Sequence, residues 1–148
     1  MVGGNEMDMS EKKMIKGLIV VFASLAAMSA AYLAYALFHT LIARITIPII
    51  GHPYPTVATR PVFALIMTVF YLIYCKRGRN EIAKAALISI PAGAIMLSLG
   101  IGLYKLPLAV IASKTAVFVI FLLLLVRFKK DWTYYLALSV TYMLSMLY

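Results

Sequence analysis

The chain has 148 residues, 64% of them hydrophobic and 13% charged, with a formal net charge of +9. Soluble domains carry roughly 25% charge and about 45–50% apolar residues, which excludes a soluble enzyme, and the 14 Lys and Arg edge apolar runs instead of forming a polar face, which excludes nucleic acid as a partner. Two histidines (His39 and His52), one cysteine (Cys75) and five carboxylates, all outside the apolar runs, are too few for a zinc or magnesium site or an internal disulfide, and no cofactor is expected.

Residues 1–13 read as a polar cytoplasmic N-terminal tail, and 14–148 as a single transmembrane domain. The first uncharged run, Gly17–Ala43, has 27 residues, against about 20 needed to cross the hydrocarbon. It predicts a span over about 15–41, retained as a signal anchor. Its small residues recur every four (Ala23, Ala27, Ala31; Ala26, Ala30, Ala34), which suits close helix packing in lipid. Across 44–60, Pro48, Pro53, Pro55 and Gly51 predict a long irregular connection, lying on the outer leaflet or folding back as a plug. In the second span, about 57–75, only 15 residues separate Arg60 from Lys76, about 23 Å of helix. The helix must therefore start near Val57, with Arg60 in its first turn. The third span, about 83–104, repeats Ala85, Ser89 and Gly93, while Pro91, Gly100 and Gly102 predict a kink or a break. The fourth, about 106–127, holds a single charge, Lys114. A last run, Trp132–Tyr148, has 17 residues and predicts a fifth span over about 131–148 or an interfacial helix. The fold class is all-α: a polytopic helical bundle with four to five transmembrane helices.

The positive-inside rule orients the chain. With the N-terminus in the cytoplasm, that side holds Lys12, Lys13, Lys16, Lys76, Arg77, Arg79, Lys84, Arg127, Lys129 and Lys130, ten in all, against Arg44, Arg60 and Lys105 outside. The N-terminus is then inside the cell and, with five spans, the C-terminus outside.

Lys114, in Ala112-Ser113-Lys114-Thr115, lies about 12 Å into its span by helical rise. A charge at that depth costs several kcal/mol and needs a partner. No carboxylate of this chain shares its depth, which leaves hydroxyls or carbonyls, a residue of another chain, or an anionic substrate. Ala58-Thr59-Arg60 meets Ala112-Ser113-Lys114 at an offset of 54 residues, as in two parallel hairpin repeats followed by a C-terminal helix. In that arrangement Arg60 and Lys114 face each other, flanked by Ser113 and Thr115. Arg44, His52 and Lys105, with His39 beside them, ring an acid-free vestibule suited to anions.

Two hairpins of this size, with Leu106-Pro107 opening the fourth span, Lys114 about two turns in, and a basic and aromatic end at Arg127, Lys129, Lys130 and Trp132, resemble the GtrA-like family over about residues 54–133. The resemblance implies about four spans and a part in moving polyprenyl-phosphate-linked sugars across the membrane for glycan assembly. The leading expectation is therefore a small carrier or flippase for an anionic, lipid-linked substrate, in contact with membrane lipid. The alternative is an accessory subunit of a larger complex or homo-oligomer, with Lys114 paired to a partner chain. A membrane enzyme would have to rely on His39 or His52, since no catalytic motif is present.

Overall fold

A computed structural model describes the backbone of residues 4–51 and 56–147. It is all-helical among the described residues, with α1 at Gly4–Ile50, α2 at Thr56–Arg77, α3 at Glu81–Leu87, α4 at Ser89–Gly102, α5 at Pro107–Arg127 and α6 at Trp132–Leu147. Among the described residues, four stretches are long and apolar enough to cross a membrane: Met9–Ile49, Ala58–Arg77, Glu81–Gly102 and Pro107–Arg127.

The largest departure from expectation is at 44–60, which is not a long irregular connection. α1 runs on to Ile50 with Pro48 inside it, and α2 already begins at Thr56. Proline's fixed φ fits a helix, and Pro48 forfeits one bond, to the carbonyl four residues back. Close to the helix end that loss is tolerated. α1 stops at Gly51, whose φ of +73° is open to glycine without penalty and whose N–H bonds the Ile47 carbonyl at 3.0 Å. The connection shrinks to 51–55, of which 52–55, including His52, lie outside the described residues. At the other end α1 takes in 4–13, set aside above as a tail. At 47 residues the helix is about 70 Å long, more than twice the hydrocarbon thickness.

The third span is interrupted at Ile88, between α3 and α4. Pro91 has no N–H to offer the Leu87 carbonyl, so the helical ladder is broken one turn upstream of the proline. Asn80 starts α3 by accepting from the N–H groups of Ile82 (3.0 Å) and Ala83 (3.2 Å), the usual way an Asn cap meets orphan donors.

α6 is the short helix at the middle of the bundle, packed on α1, α3, α4 and α5. Its 16 residues give about 24 Å, less than the hydrocarbon thickness. One face of it is enclosed by the other helices, since Tyr134, Ala137, Leu138, Thr141 and Ser145 are all buried. The core gathers Val20 of α1, Ala85 and Ala92 of the third span, Leu125 of α5 and Tyr134, Ala137 and Leu138 of α6. The row Ala85, Ser89, Gly93 is buried throughout, and a Cβ on Gly93 would meet Met28 at 3.1 Å and Thr141 at 3.6 Å. Small residues there let α1, α4 and α6 close on one another. α1 and α2 touch chiefly through Phe63, which meets Tyr35 and Phe38 at ring distances of 5.3 and 5.7 Å.

One end of the bundle collects the charge. Lys16 bonds Asp131 at 2.9 Å, Lys84 bonds Glu81 at 2.6 Å, and the Tyr134 hydroxyl donates to Glu81 at 2.9 Å. Lys130 stands 5.1 Å over the Tyr134 ring. The Lys16 ammonium, and then the Trp132 N–H, hold the Asp131 carboxyl below its ordinary value of 3.8. A depressed acid stabilises the fold above its ordinary value, and the contribution disappears as pH falls through the lower folded-state value. For an exposed pair that contribution is about 0.2–1 kcal/mol. The melting temperature of Asp131→Asn should therefore fall less than that of the wild type on acidification below pH 3.8; parallel profiles would contradict this.

α5 ends with Lys129 at φ +48°, and the Lys130 N–H reaches back to the Leu125 carbonyl at 3.0 Å. This is the position where helices usually place glycine. A left-handed conformation costs a side-chain-bearing residue about 1–2 kcal/mol. Lys129→Gly should raise the thermal midpoint by an amount equivalent to about 0.5–1 kcal/mol after glycine's entropy is set against that strain. An unchanged or lower midpoint would refute the assignment.

Candidate functional site

Lys114 is buried, at 3% exposure, and its Nζ donates to the backbone carbonyl of Ser145 in the last turn of α6. The last carbonyls of a helix have no partner within it, and its C-terminus carries the negative end of the macrodipole. The ammonium thus caps α6. Gly100 of α4 makes room: a Cβ there would lie 2.9 Å from Lys114 Cε and 3.3 Å from Nζ. The register was available in the chain itself. Lys114 lies thirteen residues before Arg127, where α5 ends, and Ser145 thirteen after Trp132, where α6 begins, about 20 Å in each case.

The neighbours of Lys114 are engaged too. Ser113 donates to the Val110 carbonyl at 3.0 Å. Thr115 donates to the Ile111 carbonyl at 2.8 Å and shares a 2.8 Å hydrogen bond with the Tyr142 hydroxyl. Tyr142 in turn stacks on Phe118 at 4.5 Å.

Arg60 sits in a different place. With Met28, Tyr32 and Tyr35 of α1, Phe63 of α2, and Ser89, Gly93, Leu97 and Ile101 of α4, it lines a slot of about 90 Å³. The slot follows α4 from Ser89 to Ile101, about 18 Å by helical rise. Arg60 Nε is buried without a hydrogen-bond partner, and so is the Ser89 hydroxyl. A buried polar group left unpaired costs about 1–3 kcal/mol.

Arg60 and Lys114 therefore do not face each other across one vestibule. Lys114 meets α4 at Gly100 and is held on the side of α6, while Arg60 lines the slot between α1, α2 and α4. The surrounding ring is not assembled either. Arg44 is exposed on α1, Lys105 lies 5.8 Å over the ring of its neighbour Tyr104, and His52 is outside the described residues. His39 stacks on Tyr35 at 6.1 Å, with Nδ1 buried and unpaired.

No family model, curated protein or solved structure matches this chain.

Among the described residues, no carboxylate or histidine lines the slot. A guanidinium offers a fork of donors matched to phosphate or carboxylate, and the remaining walls are largely aliphatic and aromatic, as in sites that bury most of a ligand. Sequence reasoning singled out Arg60 but missed Tyr32, Tyr35, Phe63 and Met28. The available signal was the aromatic run Tyr32, Tyr35, Phe38 on α1, spaced three apart on one helix face.

Proposed function

We propose that this protein is a small multi-pass carrier in the cell membrane that binds an anionic, lipid-linked substrate and moves it between leaflets. The observation that carries the proposal is the slot, with the cationic Arg60 among its lining residues and apolar walls along α1 and α4. It lies toward the end of the bundle that has no acid to compete with a ligand. The resemblance to the GtrA-like family favours a polyprenyl-phosphate-linked sugar as the substrate. The excess of cations at the other end favours that end as the cytoplasmic one. The hydrogen bond from Lys114 to the Ser145 carbonyl favours the carrier over an accessory subunit whose Lys114 pairs with another chain.

Purified protein in liposomes, loaded with a fluorescent polyprenyl phosphate in one leaflet, tests the proposal. Transfer to the other leaflet faster than in protein-free vesicles is the expected result. Equal rates would overturn it.

A further inference from the structure

The slot is too small for the whole of such a ligand. It offers about 90 Å³, and one water needs about 10–15 Å³ of such space, which leaves room for about six to nine non-hydrogen atoms. That is a phosphate and the first few carbons of a tail. A tail reaching through one leaflet is about 15 Å long and must lie elsewhere.

The seam between α2 and α4 supplies the place. A second, more open groove follows it, lined by Ala64, Leu65 and Thr68 of α2 and Ile95, Ser98 and Leu99 of α4. Ser98 lines both the slot and the groove. On α2 the two spaces meet at consecutive residues, Phe63 in the slot and Ala64 in the groove. Ser98, a small side chain, is common to both walls. Thr68 has turned its hydroxyl onto the Ala64 carbonyl at 2.8 Å, so it makes no demand for a polar ligand. Leu65, on the groove's rim, is 66% exposed, which places the rim at the lipid-facing surface of the bundle.

We infer that the α2–α4 seam at Ser98 is a lateral portal: the anionic head of an amphiphile occupies the slot at Arg60, and its tail passes over Ser98 into the outer groove and the bilayer. The inference rests on the anion-binding function proposed for the slot and adds the route of entry and the requirement for a tail-bearing ligand. A bulky side chain at Leu65, on the rim of the groove and outside the slot, would clash with a threaded tail but leave a short ligand room to bind.

The test measures binding of hexadecyl phosphate and of butyl phosphate to wild-type protein and to Leu65→Trp, with thermal midpoints as a check on folding. Leu65 stands on the exposed rim of the groove and outside the slot. Leu65→Trp is expected to lose about tenfold or more in affinity for the long-chain phosphate through a clash with its tail and to keep its affinity for the short one. Loss of neither, or equal loss of both, overturns the portal while the slot stands. Wild-type protein that binds neither phosphate overturns the slot as well. Thr68→Phe, also in the groove and outside the slot, is the second variant. It should show the same selective loss, and unchanged binding of both probes by a folded Thr68→Phe overturns the portal even if Leu65→Trp fails to fold.

Discussion

Arg60→Gln is expected to weaken binding of an anionic amphiphile roughly ten- to a hundredfold. A hydrogen bond to a charged group is worth about 1.5–3 kcal/mol, and each 1.4 kcal/mol is a factor of about ten. Glutamine keeps a polar side chain of moderate length, so the packing of Tyr32, Tyr35 and Phe63 around the slot need not change. It removes the charge and the guanidinium fork that pairs with two phosphate oxygens at once. The fold should not suffer, because Nε is already buried without a partner and its loss relieves that cost. Arg60→Lys should fall between the two, keeping the charge but not the fork. Titration calorimetry with a long-chain alkyl phosphate measures all three proteins. Equal affinities would remove Arg60 from the site.

Lys114→Met should behave in the opposite way, lowering stability while sparing affinity. The substitution leaves the Ser145 carbonyl unpaired at the end of a buried helix, at a cost of about 1–3 kcal/mol. Part of that is recovered because an ammonium no longer has to be kept out of water. A net loss of about 1 kcal/mol is the expected outcome, read as a lower thermal midpoint. Interhelical hydrogen bonds measured in membranes are of this size. Gly100→Ala should lower the midpoint in the same direction, since its Cβ would fall 2.9 Å from Lys114 Cε and push the side chain off α6. A folded Lys114→Met variant that no longer binds the phosphate would show that Lys114 serves the ligand and not the helix end.

The ends of α2, α5 and α6 were legible in the sequence, because charged residues close beside an apolar run mark where a helix leaves the lipid. Those of α1 were not: the run read as a span over about 15–41 belongs to a helix from Gly4 to Ile50. The bounds of α2, α5 and α6 fall within a few residues of those read from the runs alone. The interruption of the third span was legible as well, because Pro91 cannot complete the helical ladder wherever the helix is placed. The connection at 44–60 misled, since proline is hostile to a helix interior but not to its last turn, and only the structure shows how close Pro48 stands to the end.

The site was only half legible. That Lys114 needs a partner follows from its depth, but a backbone carbonyl is invisible in a side-chain inventory. Finding it took the pairing of α5 with α6, which sets Ser145 at the depth of Lys114. The slot could not be read at all. It is the space left between α1, α2 and α4, lined by residues of all three, and no local pattern encodes such a space.

The most direct measurement of the central claim is photo-crosslinking in reconstituted membranes. The probe is an alkyl phosphate with a diazirine a few carbons from its head, and adducts are located by mass spectrometry. The slot predicts labelling of Met28, Phe63, Leu97 or Ile101, reduced in Arg60→Gln. Labelling confined to lipid-facing positions such as Leu33, Leu37 and Leu123, which are 66%, 72% and 64% exposed, and indifferent to Arg60, would contradict it.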